Sequence, residues 1–311
     1  MNTTAAIAPS ETRAAAIDLP PPSAPCACGN GEPCRFGTNS LVQVSHPEFG
    51  AMHVLRCEAC GHGVTMPHVP DVSVLYEGRE TQDYQGRDNK LATAIKRLAF
   101  RRQAGKMLRQ TGFKGGNIVD FGCGSGLYTD AIAASCGASD SVTGLDFFAD
   151  PPAHIGAAQY RPFSQMSQFE KTADLVTCFH VLEHDADPQN VLRQLIALAK
   201  PGATVLIEVP HIDCVWRHVF RQYWDNWYLP FHRTHFSRAS LDSAIEAAGL
   251  SIIGRYSVHT PAIGRSLANL MGKENGLPFV IASALGQPAQ VLVERLFNSP
   301  SALRIVARVP A

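Results

Sequence analysis

Two hydrophobic patterns divide the chain into a short front part and a long back part. In the back part, apolar runs that end at turns read as buried strands at Asn117–Phe121, Ser141–Asp146, Ser251–Val258 and Leu303–Val309. After the first of these runs, a helix is predicted from about Leu127. In the front part, Met52–Arg56 has the pattern of a single strand. Strands that alternate with helices predict an α/β architecture for the back part.

A glycine-rich turn follows the first strand of the back part. Gly122, Gly124 and Gly126 lie between Phe121 and the predicted helix. Such a turn exposes backbone N–H groups to a ligand. About twenty residues further on, the second strand ends in Asp146, where an acid can accept hydrogen bonds from ribose hydroxyls. The two features predict a nucleotide-like cofactor.

The details of the turn favour S-adenosylmethionine as that cofactor. Dinucleotide enzymes use G-x-G-x-x-G, and the third glycine of that pattern would fall at Leu127, whereas this turn reads G-x-G-x-G. Asp120 lies at the end of the strand, where its charge would repel a pyrophosphate. The same charge suits the ammonium group of a methionine moiety, so NAD is disfavoured.

Several segments carry a resemblance to a known family. Val119–Gly126 resembles the first motif of the class I S-adenosylmethionine-dependent methyltransferases, and Gly144–Asp146 resembles the second. Ala173–His184 and Ala203–Pro210 are similar to the fourth and fifth strands of the ubiquinone-biosynthesis-like subgroup, and His235–Ser237 is similar to its entry into the next helix. The resemblance spans Asn117 to about Val258.

This resemblance implies a doubly wound α/β domain with a seven-stranded sheet over residues 116–311, carrying an insertion at about 260–300 that shapes a substrate pocket or a dimer contact. With the turn, it predicts the following cofactor contacts: Asp120, Phe121, Gly122, Cys123, Gly124, Gly126, Asp146, Phe147, Phe179 and His180. Residues 67–115 are interpreted as a helical linker or lid that includes Tyr76 and Tyr84.

Clustered cysteines mark residues 26–66 as a zinc-ribbon module. Cys57 and Cys60 form a C-x-x-C-G knuckle, a turn that brings two thiolates to one metal ion. The other half of the site, Cys26 and Cys28, is one residue shorter than usual. We expect these four to bind a structural Zn²⁺, with Cys34 or His62 as the substitute if C-x-C does not chelate; the alternative is a set of unligated or redox-active thiols. By resemblance, this arrangement looks like that of deoxysugar C-methyltransferases.

Methyl transfer needs a base only when the acceptor holds a proton. Candidates at the carboxyl ends of the strands are Glu183, Asp213 and three histidines. His180 is the first choice, His211 the second, and His184 a third candidate that equally fits the start of the next helix. A structural or cofactor-contacting role is an equally open interpretation for each. An aromatic run from Trp216 to Phe231 either covers the acceptor site or belongs to the core.

Charge and composition limit the partners. Lys plus Arg and Asp plus Glu number 27 each, so the chain lacks the global basic field that nucleic-acid binding usually requires. We therefore expect a small-molecule acceptor. The alternatives are an RNA methyltransferase, or a protein whose zinc ribbon recruits a partner and whose α/β domain binds the cofactor without catalysis. The oligomeric state is left open.

The location of the protein is predicted from its apolar segments. Residues 1–25 are rich in Ala, Pro, Thr and Ser and contain charged residues, so they lack the apolar core of a signal peptide and are expected to be a disordered tail. The most apolar later stretch, about Phe279–Leu285, is shorter than the ~20 residues that span a bilayer. We expect a cytoplasmic protein without a membrane segment.

Overall fold

The computed structural model describes residues 35–37, 40–69 and 90–311. The expected disordered tail, three of the front cysteines (Cys26, Cys28 and Cys34) and both linker tyrosines lie outside these described residues.

A seven-stranded sheet dominates the described structure. Its strands are β4 (Asn117–Phe121), β5 (Ser141–Asp146), β6 (Gln159–Pro162), β7 (Ala173–Phe179), β8 (Ala199–Pro210), β10 (Ser251–Val258) and β11 (Ala302–Arg308). Their order is β10-β11-β8-β7-β4-β5-β6. The five strands from β8 to β6 are parallel, whereas β11 runs antiparallel to both β8 and β10. The predicted α/β doubly wound sheet is confirmed, including its final antiparallel pair.

Helices cover both faces of this sheet, because successive side chains along the strands point to opposite faces. On one face, α1 (Lys90–Thr111) and α2 (Leu127–Ala133) pack over Leu175 of β7. On the other face, α3 (Pro188–Leu198) and α5 (Arg238–Ala247) pack over Val176. Two hydrophobic cores therefore enclose the central strands.

In the sequence, Asp187 and Pro188 predict the start of a helix from about Gln189 to Lys200, and Pro201 and Gly202 predict its end; the predicted end is wrong. Helix α3 begins, as predicted, after the cap formed by Asp187, whose carboxylate accepts from Gln189 N, but it ends at Leu198. Ala199 already pairs with Ala173 of β7, so the chain enters the sheet before it reaches the proline. Sheet pairing thus ends the helix earlier than the local helix-breaking residues would.

A second, four-stranded sheet lies in the front part and is completed by the back part. Strands β1 (Val42–His46), β2 (Gly50–Arg56) and β3 (Gly63–Met66) form an antiparallel meander, and β9 (Thr234–His235) pairs with β3. The next residue, Phe236, forms a bridge to the end of β8 through His211. The proposed boundary at residue 66 stays a prediction, but the small sheet is not a self-contained unit.

The aromatic run that follows β8 packs against the small sheet. It includes α4 (Trp216–Phe220) and two turns of 3₁₀ helix. Trp224 and Trp227 are 2% and 3% exposed and pack against each other edge to face at 4.9 Å. Their cluster includes Val42 and Val54 of the small sheet and Ile212 from the segment after β8. These tryptophans are core residues that join the small sheet to the back part of the chain.

The insertion after β10 forms two packed helices, α6 (Ile263–Leu270) and α7 (Leu277–Leu296). Helix α7 has 20 residues and is longer than the apolar stretch that the sequence suggested. By length and composition alone it could cross a membrane, and only 11% of its most apolar window is buried. That low burial distinguishes α7 from an ordinary core helix.

The close packing of Gly63 in β3 against β9 and the segment after β8 can be tested by mutation. A Cβ atom at Gly63 would lie 2.6 Å from Ile212 Cδ1 and 2.9 Å from His235 Cβ. We expect Gly63→Ala to lower the free energy of unfolding by about 1–3 kcal/mol, because these segments would have to move apart. Urea denaturation measures this change.

The matched control is Gly105→Ala in α1, where the nearest atom to the new Cβ is Arg109 Nη1 at 3.7 Å. This exchange is expected to stabilise by about 0.5–1 kcal/mol, since alanine favours a helix interior over glycine. If both variants change stability alike, the close packing at Gly63 has no energetic consequence.

Candidate functional site

The glycine turn is held against the carboxyl end of β5. The N–H groups of Gly122 and Cys123 both donate to Leu145 O, at 2.8 and 3.0 Å, and Gly124 N donates to Asp146 Oδ2 at 2.7 Å. Gly126 has φ +77°, and a Cβ there would lie 2.7 Å from the backbone N of Ile155. Only glycine fits this position without moving the neighbouring chain.

Asp146 and an aromatic group form the wall beside this turn. Asp146 is 7% exposed, and its Oδ1 accepts from Phe147 N at 2.7 Å. The ring of Phe147 is 76% exposed and contacts Phe163 edge to face at 4.8 Å. Phe163 also packs against Phe121 at 4.7 Å. A carboxylate and an exposed apolar ring thus lie side by side where the sequence predicted a cofactor.

Asp120 is more deeply buried than a residue that contacts the cofactor needs to be. It is 3% exposed, and its two carboxylate oxygens accept from Thr129 Oγ1 at 2.6 Å and Thr177 Oγ1 at 2.7 Å. Burial raises the pKa of Asp120, although both hydrogen bonds act in the opposite direction. In this arrangement Asp120 ties β4 to α2 and β7. Its direct contact with a cofactor stays a prediction.

His180 lies between two acids at the end of β7. Its backbone is in the left-handed region, with φ 55°. Its Nδ1 lies 3.4 Å from Glu183 Oε1 and its Nε2 lies 3.2 Å from Glu208 Oε1. Burial disfavours the charged ring, but the hydrogen bonds and charges of the two acids outweigh burial and raise the pKa of His180 to about 10. At neutral pH the ring is therefore protonated and donates at both nitrogens.

Glu183 also belongs to a second group, with His184 and His232. Their ligand atoms lie within 4.8 Å of one another, and this is the one such group of three among the described residues. Glu183 is 1% exposed, and its Oε1 lies 3.4 Å from His180 Nδ1 and 3.7 Å from His232 Nε2. The Nδ1 of His232 lies 2.8 Å from Asn226 O, an arrangement in which a neutral ring donates from Nδ1 and keeps a lone pair on Nε2. Two imidazoles and a carboxylate are ligands that suit a divalent transition metal.

His211 differs from His180 in its protonation state. It is 4% exposed, and its Nδ1 lies 3.1 Å from Pro300 O. Burial lowers its pKa to about 4, although the nearby charge of Asp213 favours protonation. At neutral pH the ring is neutral, and donation to Pro300 leaves the lone pair on Nε2. His211 thus has the protonation state that a general base needs.

A cleft of about 1000 Å³ opens beside His211, between the cysteine knuckle and the start of α5. The small sheet is joined to the other wall by an ion pair, in which Arg56 donates to both carboxylate oxygens of Asp213 at 2.7 and 3.0 Å. Arg238 also lines the cleft. Its volume is at the upper end of the range for small-molecule sites.

The knuckle turn itself is well formed. Gly61 N donates to Cys57 O at 2.9 Å, Cys57 N donates to His62 O at 2.7 Å, and the thiol of Cys57 accepts from Arg35 N at 3.4 Å. Cys57 and Cys60 are not in a disulfide. The other proposed ligands lie outside the described residues, so the four-cysteine site stays a prediction.

His62 has no hydrogen-bond partner at either ring nitrogen within the described structure. It is fully buried and contacts Phe236 edge to face at 5.0 Å. Burial lowers its pKa to about 4, so the ring is neutral at pH 7. Its role as a substitute ligand stays a prediction.

Most of the predicted site residues meet at one edge of the large sheet, where β4, β5, β7 and β8 end. Sequence reasoning missed Glu208, Arg304 and His232. Glu208 and Arg304 had a sequence signal, because each is a charged residue within a run of apolar residues. His232 lies outside any strand or helix, and nothing in the local sequence singles it out from its neighbours.

Comparisons with known proteins support the methyltransferase interpretation. A family profile described as "Methyltransferase domain" matches residues 84–254. The ubiquinone biosynthesis O-methyltransferase of Aeromonas salmonicida is 34% identical over 110 residues, which cover 31% of this chain and 44% of that protein. The Pseudomonas aeruginosa (strain LESB58) protein of the same name is 35% identical over 109 residues, 32% of this chain and 46% of that one. The match thus spans less than half the length of these relatives.

Among solved structures, the Burkholderia thailandensis 1,6-didemethyltoxoflavin-N1-methyltransferase, with its substrate and S-adenosylhomocysteine bound, is 16% identical. The alignment covers 82% of this chain and 98% of that one, with a TM-score of 0.49.

The buried neutral histidines generate a prediction on acid stability. The pKa of His62 is about 4 in the folded chain and 6.5 for the free side chain, so the unfolded chain binds more protons between these values. The stabilisation is complete above about pH 6.5 and is lost as the pH falls towards 4. One such group accounts for about 3 kcal/mol.

We expect His62→Phe, which keeps a ring against Phe236, to flatten the pH dependence of the free energy of unfolding in this window. Urea denaturation between about pH 4.5 and pH 7.5 measures it. Exposed His218→Phe is the control for adding a phenyl ring. Equal slopes in wild type and His62→Phe would contradict the assignment.

Proposed function

Since this chain belongs to the methyltransferase-domain family, we propose that it transfers a methyl group from S-adenosylmethionine to a small-molecule acceptor in a biosynthetic pathway. The observation that carries this proposal is the glycine turn, whose Gly124 N–H is fixed by the carboxylate of Asp146. The same carboxylate is at the position from which an acid binds ribose hydroxyls in nucleotide-binding α/β folds.

The residues at this edge fit the proposed cofactor. At Gly124 a Cβ would meet no atom within 4 Å, so a ligand can approach the backbone of the turn there. Asp146 would bind the ribose, and the exposed ring of Phe147 offers an apolar surface for the adenine. When bound, S-adenosylmethionine supplies an electrophilic methyl group on a sulfonium. The protein's task is then mainly to align the acceptor with that group.

The two leading histidines have different proposed roles. His180 directs both of its ring nitrogens at acids, Glu183 and Glu208, so as a protonated ring it suits the positioning of these acids and not the removal of a proton from an acceptor. His211 is neutral with a lone pair on Nε2, so it suits removal of a proton from an acceptor in the adjacent cleft. His184 suits metal or acceptor binding beside Glu183. These charge states favour His211 over His180 as the base.

The acceptor is proposed to be a small molecule. Ubiquinone biosynthesis is what the named relatives do, and the aligned segment covers less than half of each of them. The balance of 27 basic and 27 acidic residues weighs against RNA as a substrate. The cytoplasmic location expected from the apolar segments of the sequence stays a proposal. Recruitment of a partner without catalysis is the remaining alternative, and the fixed glycine turn weighs against it.

Calorimetric titration tests the proposed cofactor. We expect wild-type protein to bind S-adenosylhomocysteine saturably and to show no binding of NADH. Asp146→Asn should weaken binding by about 10–100-fold, since a charged hydrogen-bond acceptor for the ribose and the turn is lost.

Asp242→Asn is the matched control, because Asp242 pairs with Arg255 on the surface of α5. It should leave the affinity unchanged. Binding of NADH, or failure of the wild type to bind S-adenosylhomocysteine, would refute the proposed cofactor. An unchanged affinity in Asp146→Asn would refute the role of Asp146 alone.

We also propose that Cys57 and Cys60, with Cys26 and Cys28, bind a structural Zn²⁺. Support comes from the formed knuckle, in which the N–H of Arg35 donates to the Cys57 sulfur. The apolar cluster around the knuckle is small, with Phe36 packed against Cys57 and Cys60, so a metal ion would add to its stability. The cluster of Glu183, His184 and His232 is proposed as a separate site for a divalent cation.

Metal analysis of the purified protein distinguishes the two sites. We expect about one zinc per chain in the wild type, lost in Cys57→Ser together with a lower melting temperature. Glu183→Gln should keep that zinc and lose the binding of added Mn²⁺ or Co²⁺.

Cys136→Ser serves as the control, because Cys136 lies in the catalytic part and away from the knuckle. Zinc retained in full by Cys57→Ser would refute the knuckle site. Equal Co²⁺ binding by wild type and Glu183→Gln would refute the second site.

A further inference from the structure

Helix α7 is inverted in polarity, with its polar side facing the protein and its apolar side facing out. Gln290 and Glu294 are 1% and 0% exposed, whereas Leu285 and Leu296 are 78% and 73% exposed. A helix on the surface of a globular protein normally has the opposite arrangement. The inversion indicates that a further apolar surface covers α7.

The inward side is fixed by a dense set of hydrogen bonds. Glu294 accepts from Trp216 Nε1 at 3.0 Å and from Ser301 N at 3.0 Å, and its Oε2 lies 2.6 Å from His259 Nδ1. Gln290 donates to Thr260 O at 2.7 Å. Since turning the helix over would break these bonds around a fully buried carboxylate, the apolar side must stay outward.

The outward side is a narrow apolar stripe. Ile281, Leu285, Leu292 and Leu296 are each 44–78% exposed. At about 100° per residue, their spacings of four, seven and four keep all of them within about 60° of the helix circumference. No charged residue occurs from Leu277 to Val293. From Ile281 to Leu296 the stripe is about 22 Å long, and none of the described residues buries it.

The stripe is symmetric about its own centre. Leu285 and Leu292 are equally distant from the midpoint between Pro288 and Ala289, and so are Ile281 and Leu296. Two antiparallel copies related by a two-fold axis at this midpoint would place Leu285 of one copy against Leu292 of the other. The small Ala289 near the axis allows close approach. Isologous contacts require this kind of self-complementarity.

We propose that α7 is the centre of a two-fold interface with a second copy of this chain. Contact between two uncharged stripes brings no like charges together. The stripe alone covers roughly 300 Å² per copy, below the ~800 Å² of a standard interface. Leu270 and Met271, at the end of α6, which packs against α7, are also exposed apolar residues. The proposal is independent of the proposed function.

A bilayer fits the stripe less well. Helices that lie on membranes carry Lys and Arg along an outward polar face, where they meet lipid headgroups. The polar face of α7 is turned to the protein, and the basic residue of the helix, Arg295, lies at its end. Insertion across a bilayer would require Gln290 and Glu294 to leave their partners.

Sedimentation of the full chain over a range of concentrations tests the proposal. We expect a dimer in the wild type and at least about 100-fold weaker dimerisation in Leu285→Asp or Leu292→Lys. Mixing these two variants should restore a heterodimer, because the carboxylate introduced at position 285 of one copy would face the ammonium group introduced at position 292 of the other. The second pair of facing positions stays Leu–Leu. A contact that does not involve α7 would not show this complementation.

Ile253→Asp is the control, since Ile253 is 50% exposed on β10 and lies outside the insertion. It should leave the dimer intact, and circular dichroism should show that all variants are folded. The proposal is overturned if the wild type is monomeric, if Leu285→Asp stays dimeric, or if mixing restores nothing. Flotation of monomeric wild type with phosphatidylcholine–phosphatidylglycerol vesicles would identify a bilayer as the occupant and also overturn it.

Discussion

The buried carboxylate of Glu208 holds the central strands of the large sheet together. Arg304 of β11 donates to its Oε2 at 2.7 and 2.6 Å, and His180 after β7 lies 3.2 Å from its other oxygen. Arg304 in turn donates to the Gln110 side chain of α1 at 2.8 Å. Burial raises the pKa of Glu208, but the charges of Arg304 and His180 outweigh burial and lower it. Removing one member of such a buried group typically costs about 3–5 kcal/mol, because the other charges lose their partners. The carboxylate of Glu208, which positions His180, therefore also contributes to the stability of the large sheet.

This network explains why His180 is protonated at neutral pH whereas His211, at the end of the adjacent strand, is neutral. His180 and His211 follow adjacent parallel strands and are equally plausible bases from sequence. His180 has an acid at each ring nitrogen, whereas His211 contacts a backbone carbonyl and has one carboxylate at 4.0 Å. Burial disfavours the proton in both, and only the two-acid environment overcomes it. Two residues that are distant in sequence, Glu208 for His180 and Pro300 for His211, thus contribute to the difference in protonation.

The features predictable from sequence are those that depend on neighbouring residues. The strand ending at Phe121, the turn to Gly126 and the acid at Asp146 each carry local signals, and the structure brings them together. The end of α3 was mispredicted because pairing of Ala199 with Ala173 depends on a different strand. His232 reaches Glu183 across a loop, and no periodicity records that approach. Such contacts depend on which segments the fold brings together. Sequence patterns predict the segments but not the individual contacts between them.

The same limit applies to the front part of the chain. Its cysteines suggested a separate module, but the small sheet gains its fourth strand from Thr234–His235, and Trp224 and Trp227 of the back part pack against it. The knuckle consequently forms one wall of the cleft that His211 lines. A metal ion at the knuckle would then stabilise that wall as well as the front sheet. Because Arg56 of the small sheet pairs with Asp213 of the back part, loosening the knuckle would also shift the acid beside the proposed base. The front part therefore shapes the cleft that His211 lines and is structurally continuous with the back part.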